Sequence, residues 1–133
     1  MEIGILKRDG RTDPFFDGTA ADRLVIKRCA ACDRWHAPDQ HSCPGCGAED
    51  LAWAGASGAA TLVTWTVTHG RPRADGTVPP PAVLALVELE EGPWLHARLD
   101  GAAPAALREG LPLEASFEHP AEGEAYLLFR PAH

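Results

Sequence analysis

The chain has 133 residues, a formal net charge of −7 and 45% hydrophobic residues, enough for one ordinary core or for a small core joined to a metal-stapled lobe. From position 54 onward ten acidic residues stand against Arg71, Arg73, Arg98, Arg108 and Arg130, and the chain has only two lysines, Lys7 and Lys27. This argues against a strong grip on nucleic acid, whose affinity comes largely from Lys and Arg neutralising phosphates.

Residues 1–13 are polar and without periodicity, the pattern of an arm that is ordered only when a partner holds it. The start Met1-Glu2-Ile3-Gly4-Ile5-Leu6-Lys7 lacks the apolar segment of a secretory signal, and the longest apolar run, 82–87, falls far short of a membrane helix. A soluble, cytoplasmic protein with no membrane contact is expected. Asp13-Pro14-Phe15-Phe16 reads as a helix start, with Asp13 as N-cap and Pro14 at the first helical position. Gly18 weakens this short helix, while Phe15, Phe16 and Leu24 give it an apolar side to lay against a neighbour or another protein.

Residues 24–28 alternate as a strand leading into Cys29-x2-Cys32, and 35–37 read as the return strand before Pro38. The second pair stands in Cys43-Pro44-Gly45-Cys46-Gly47, and these four cysteines are the only ones in the chain. Two facing C-x-x-C tips offer four thiolates at Zn–S distances of about 2.3 Å, as a closed structural zinc site requires. Pro44 stiffens the second knuckle, Gly47 can take a positive φ, and Asp33 tolerates the same region at the matching place in the first. Two disulfides would need an oxidising compartment, and a redox-active pair has no need of a second pair nearby. Iron would suit the same tetrahedral sulfurs. His36 and His41 lie between the knuckles, but four sulfurs already fill the shell and both histidines read as solvated loop residues.

Residues 51–53 form the last ribbon strand, and the small residues 54–60 mark a join. Beyond it the chain is strand and turn. In 61–68, Leu62, Thr64, Thr66 and Thr68 share one face and Val63, Trp65 and Val67 the other. Strands follow at 83–89 and 94–99, the latter with Leu95, Ala97 and Leu99 inward and His96 and Arg98 outward. A helical turn is expected at 104–108, and further strands at 111–118 and 125–130. Five strands with a break after the third suit a small Greek-key barrel. The long 70–81 connection favours an OB-fold over an SH3-like barrel. The expected architecture is mostly β: an arm and short helix (1–23), a rubredoxin-like zinc ribbon (24–56) and a five-stranded OB-fold (57–133).

No residue reads as catalytic. No nucleophile stands in a recognisable motif. His69 and His96, on or beside strands, would matter only if they shared a pocket, and Glu88, Glu90 and Glu91 flank a turn as a solvated charge run. Trp65 and Trp94 could stack bases on an OB face, which keeps a single-stranded nucleic-acid module as the alternative. The charge balance instead favours core or interface packing for both. Arg71 and Arg73, beside Pro72, are the candidates for contact with a ligand phosphate.

The pattern resembles the DUF35 family, proteins with an N-terminal helical segment, a rubredoxin-like zinc ribbon and a C-terminal OB-fold. The resemblance rests on Phe15-Phe16-Asp17-Gly18, the two knuckles, Ser57-Gly58 entering a strand with Thr66, Val67 and His69, the run Ala85-Leu86-Val87-Glu88-Leu89-Glu90-Glu91-Gly92, Gly110-Leu111-Pro112-Leu113, and Phe129-Arg130-Pro131. The chain departs from the family's usual Trp or Tyr at Phe15-Phe16, and from a Gly-x-Gly-Thr run at Gly58-Ala59-Ala60-Thr61. The resemblance implies an accessory subunit, not an enzyme by itself, that binds a thiolase-superfamily enzyme in a hetero-oligomer and assists with an acyl-CoA substrate. Such partners include thiolase-like aldolases, hydroxymethylglutaryl-CoA synthase and acyltransferases. It further implies a structural Zn2+ on Cys29, Cys32, Cys43 and Cys46; with an acyl-CoA in view, Arg71 and Arg73 are candidates for its phosphates or, equally well, two solvated loop arginines, and Phe15, Phe16 and Trp35 are candidates for the partner interface.

Overall fold

The computed structural model describes residues 7–8, 10–49 and 51–132, so most of the expected N-terminal arm lies outside the described residues. At its near end Arg8 is held by the chain itself, with its guanidinium bonded to Glu124 and, at 2.7 Å, to Asp17. The first helix, α1 (Asp13–Ala20), begins one residue before the expected start. Thr12 is its N-cap and its carbonyl accepts the N–H groups of Phe15 at 3.0 Å and Phe16 at 3.3 Å. Pro14 has no N–H to satisfy anywhere in the first turn, so the shift to the second position costs it nothing. Gly18 has a reason that propensity does not show: a methyl there would meet Val25 Cγ2 at 2.6 Å and the Arg23 carbonyl at 2.9 Å. The glycine lets the helix end approach the next strand.

That strand is β1 (Val25–Cys29), central in a three-stranded antiparallel sheet with β2 (Trp35–His36) and β3 (Leu51–Gly55) in the order β2-β1-β3. The remaining strands are β4 (Ala59–Thr68), β5 (Ala82–Leu89), β6 (Trp94–Leu99), β7 (Pro112–Glu118) and β8 (Tyr126–Pro131). They close into a barrel in the order β4-β5-β6-β8-β7, with β6 and β8 parallel and every other pair antiparallel. This is the Greek-key order of an OB-fold. The expected helical turn is a single 3₁₀ turn, Pro104–Ala106, after which Leu107 closes over the core.

The alternation expected along β4 breaks at Val63. The partner register on β5 runs Leu62↔Val87 and then Thr64↔Leu86, so Val63 is the extra residue of a β-bulge. The bulge exchanges the faces. Ala60 and Leu62 are buried before it, whereas Trp65 and Val67 pack on the core after it and Thr64 and Thr66 are exposed. Leu62 and Trp65, expected on opposite faces, therefore both serve the core.

The two sheets share one apolar interior. Leu24 and Ile26 belong to the same buried cluster as Leu62, Val87, Leu113 and Phe129, with Phe15 and Trp35 packed against it. Thr19 is completely buried, its hydroxyl 2.8 Å from the Ala125 carbonyl and 3.0 Å from that of Phe16. At the join, Ser57 Oγ donates to Glu90 at 2.8 Å and Ser57 N–H to Glu91 at 2.9 Å. The expected solvated charge run thus ties the linker to the β5–β6 turn. Among the described residues no helix is long and apolar enough to cross a membrane.

Candidate metal centre and docking face

The two knuckles repeat the same backbone bonding. In the first, Asp33 N–H donates to the Cys29 carbonyl at 2.9 Å and Cys29 N–H to the Arg34 carbonyl at 2.7 Å. In the second, Gly47 N–H donates to the Cys43 carbonyl at 2.7 Å and Cys43 N–H to the Ala48 carbonyl at 2.8 Å. Each turn closes on a left-handed residue, Asp33 at φ 64 and Gly47 at φ 76, as the sequence led one to expect.

The four Sγ atoms lie within 4.8 Å of one another, with Cys29 and Cys46 at 3.6 Å and Cys32 and Cys43 also at 3.6 Å. A tetrahedron with Zn–S bonds of about 2.3 Å has S···S edges of about 3.8 Å, whereas a disulfide needs about 2.05 Å. The cysteines are free thiols, and their spacing fits a tetrahedral metal. Cys29 and Cys43, which open their knuckles, are buried, while Cys32 and Cys46 reach the surface. Burial pushes the Cys43 thiol up, but the N–H groups of Cys46 and Gly45, aided by the Cys32 and His36 side chains, outweigh it and bring its pKa to about 6. The Arg34 N–H pulls Cys32 down, yet burial and the neighbouring thiols carry it to about 12. Four sulfurs this close cannot all ionise without a cation among them.

His36 is not the solvated loop histidine expected. It sits on β2 opposite Lys27, its Nε2 is buried without a partner meeting strict hydrogen-bond geometry, and its ring is close enough to Cys43 to lower that thiol's pKa. The return strand expected at 35–37 does place His36 on β2, but a strand of two residues is too short for a period to show which way its side chain faces. His41 is exposed and lines a groove of about 380 Å³ with Arg11, Lys27 and Asp39.

Phe15 and Phe16 meet edge to face, with ring centroids 5.3 Å apart. Phe15 also lines a groove of about 330 Å³ with Ala37, Pro38, Trp94, Leu95, His96 and Leu127, where α1, the ribbon and β6 meet. Trp35 turns toward the core under the Arg28 guanidinium, which lies 5.4 Å from its ring centroid. Phe15 and Trp35 therefore join the parts of the fold as well as border its surface. Of the two tryptophans expected in the core or at an interface, Trp65 packs on the core, while Trp94 is 53% exposed, with Nε1 donating to Glu88 at 2.8 Å. Leu84, 47% exposed, lies on the same outer face of β5 and β6, which it and Trp94 share with Glu88, His96 and Arg98.

Arg71 and Arg73 are exposed in the β4–β5 connection, and neither lines the grooves just described. That connection carries its own turn, with Arg73 N–H donating to the Thr77 carbonyl at 2.7 Å and Asp75 accepting the Thr77 hydroxyl, also at 2.7 Å. His69 and His96 do not share a site. His96 pairs with Leu86, whose other neighbour is Thr64, and His69 lies five residues farther along that strand, about 16 Å at 3.3 Å per residue.

Comparison with known proteins finds the same two parts. Residues 16–52 match the family described as the ChsH2 rubredoxin-like zinc ribbon domain, and residues 53–118 match the ChsH2 C-terminal OB-fold domain. A solved chain described as the Ltp2–ChsH2(DUF35) aldolase superposes with a TM-score of 0.80 at 32% identity, covering 95% of this chain and 98% of the other. A DUF35 protein of unknown function from Sulfolobus solfataricus shares the fold, with a TM-score of 0.62 at 16% identity over 90% of this chain and 84% of its own. Among curated relatives, a probable enoyl-CoA hydratase alpha subunit of Thermomonospora curvata is 37% identical over 89% of this chain but only 36% of its own length. A DUF35 domain-containing scaffold protein of Pyrococcus furiosus is 34% identical over 62% of each chain. This chain spans about a third of the hydratase subunit it matches.

Proposed function

Since the chain belongs to the DUF35 family, in its ChsH2-type form of zinc ribbon and OB-fold, we propose that it is a non-catalytic subunit that docks on a thiolase-superfamily enzyme and helps hold that enzyme's acyl-CoA substrate. The observation that carries this reading is the likeness over 95% of the chain to the Ltp2–ChsH2(DUF35) aldolase chain. The relatives named as a hydratase alpha subunit and as a scaffold protein point the same way, toward a component of an acyl-CoA-processing assembly. The chain's own layout supports it. The separated histidines leave it without a shared acid-base pair there, and its exposed Trp94 lines the helix–ribbon groove.

On this reading Cys29, Cys32, Cys43 and Cys46 hold one Zn2+ with a filled shell, which supplies folding energy and no Lewis-acid chemistry. Iron would fit the same sulfurs, and elemental analysis decides between them. The docking face comprises Phe15 and Phe16 with the exposed Trp94, Trp35 stiffening the ribbon behind them. Arg71 and Arg73, on a connection long enough to close over a ligand, would meet CoA phosphates. The parts proposed for this are the N-terminal arm and short helix (1–23), the ribbon (24–56) and the barrel (57–133).

Tagged full-length chain, expressed in its own cells, should retain a thiolase-superfamily protein in fixed stoichiometry through size exclusion. Elution as a lone chain under gentle conditions contradicts the docking role. A single-stranded nucleic-acid module is the second reading, favoured by the exposed Trp94 alone. Binding of an oligonucleotide that weakens steeply with salt would support it, and no binding at low salt would remove it.

A further inference from the structure

The barrel is closed, so the open strand edges belong to the ribbon sheet, whose order β2-β1-β3 leaves β2 on one side and β3 on the other. The β2 side is blunted: the strand is two residues long, follows Arg34 and runs into Pro38. β3 is not protected in this way. Its sequence, Leu51-Ala52-Trp53-Ala54-Gly55, carries no charge and no proline, and its register with β1 is free of bulges.

The register also fixes which groups that edge offers. Ala56 N–H donates to the Leu24 carbonyl at 2.8 Å, and the pairing continues through Val25↔Gly55, Ile26↔Ala54 and Lys27↔Trp53. Antiparallel pairs alternate between bonded and non-bonded, so Ala52 and Ala54 turn their backbone groups toward β1 while Trp53 and Gly55 turn theirs away from it. Among the described residues nothing in the chain takes up the N–H or C=O of Trp53 or Gly55. At its end β3 runs into a groove of about 470 Å³ lined by Gly55, Gly58, Ala115 and Phe117, with Asp22, Arg23 and Glu114 as its charged residues. Asp22 is taken by His119 at 2.6 Å, and Glu114 stands opposite Arg130 in the β7–β8 register. Arg23 is exposed and forms no ion pair among the described residues.

We propose that the β3 edge receives an extended segment of the partner protein, which adds a strand to the ribbon sheet through Trp53 and Gly55 and sets an acidic side chain against Arg23. A strand bound at an open edge takes its affinity from main-chain hydrogen bonds and its register from side chains. The approach is unobstructed, since even a methyl on Gly55 would meet nothing within 4 Å. A second copy of this chain suits the edge less well, because each carries a net charge of −7 and like charge opposes their association.

The inference rests on the docking reading, and the experiment separates the two. Metal-loaded full-length chain and its Gly55→Pro, Gly55→Ala and Arg23→Gln variants are titrated with the thiolase-superfamily protein that the wild type retains. Proline at 55 removes an N–H that points away from β1, so the melting temperature should stay near that of the wild type. Partner affinity should fall about 10-fold or more, while Gly55→Ala, which keeps the N–H, should bind like the wild type. Arg23→Gln should bind more weakly and with less dependence on salt. In amide exchange, Trp53 and Gly55 should be fast in the free chain and slow in the complex, with Ala54 slow in both. Undiminished binding by a folded Gly55→Pro, or Trp53 and Gly55 amides that stay fast in the complex, overturns the proposal and leaves the docking role intact. A wild-type chain that retains no such protein removes the docking role and the proposal with it. A wild-type dimer that Gly55→Pro dissolves assigns the edge to a second copy and overturns the partner strand. Should Gly55→Pro fail to fold, the exchange of the wild-type amides decides.

Discussion

The Thr19 hydroxyl reaches the Ala125 carbonyl at 2.8 Å from complete burial, so the last turn of the helix is fastened to the barrel where β8 is about to begin. The helix end is thereby held to the barrel by a bond that water does not reach. Thr19→Val keeps the shape and removes the hydroxyl. With the Ala125 carbonyl left buried and unsatisfied, the cost is expected at about 1–3 kcal/mol, read from denaturant or thermal unfolding of the metal-loaded protein. An unchanged midpoint would show that water takes the place of the hydroxyl.

Gly18→Ala sets two effects against each other. Alanine is better than glycine in a helix by about 1 kcal/mol, but the added methyl meets Val25 Cγ2 at 2.6 Å and the Arg23 carbonyl at 2.9 Å. Overpacking costs about 1–3 kcal/mol, and a backbone carbonyl yields poorly, so net destabilisation is expected. A rise in melting temperature would show that the helix is not seated on β1 as described.

Cys43→Ser removes the buried ligand of the second knuckle. Structural zinc sites contribute on the order of 10 kcal/mol to folding, so the variant should purify without metal and with the ribbon unfolded. Metal content by elemental analysis and proteolysis between residues 24 and 56 report the two losses separately. A fully folded ribbon without metal would contradict the stapling role.

Asp75 is held below the ordinary aspartate range, first by the Thr77 hydroxyl and then by its amide N–H, with desolvation opposing them. The sign follows from linkage: a depressed folded pKa contributes stability that is present above the unfolded value of 3.8 and lost as pH falls through the lower folded value. The turn that carries Arg73 should therefore stay ordered through pH 5 and loosen only in stronger acid. The Thr77 amide resonance would report this, and a midpoint at or above 3.8 would contradict it.

The knuckles were legible because a tetrahedral metal admits few spacings and few residues at its turns, so Cys29-x2-Cys32, Cys43-x2-Cys46 and Gly47 speak for themselves. The barrel strands were legible because alternation in β6 and β7 meets one core. What escaped was set by contacts across the chain. The bulge at Val63 depends on how β4 pairs with β5, and a period-two reading continued past it onto the wrong face. Gly18 looked like a flaw in the helix until Val25 stood against it. His36 fell in the expected return strand, but the burial of its Nε2 depends on packing across the ribbon and has no local sequence signal. Of the two places expected for Trp94, core or interface, the core is ruled out: it borders the groove at Phe15.

On the proposed function, this chain supports acyl-CoA chemistry performed by another protein. The most direct test is turnover of an acyl-CoA substrate by the purified thiolase-superfamily partner, the metal-loaded chain and the two together. The account predicts no turnover by this chain alone and a gain of activity or substrate affinity when it joins the partner. Turnover by the isolated 133-residue chain, or partner activity indifferent to its presence, would contradict it.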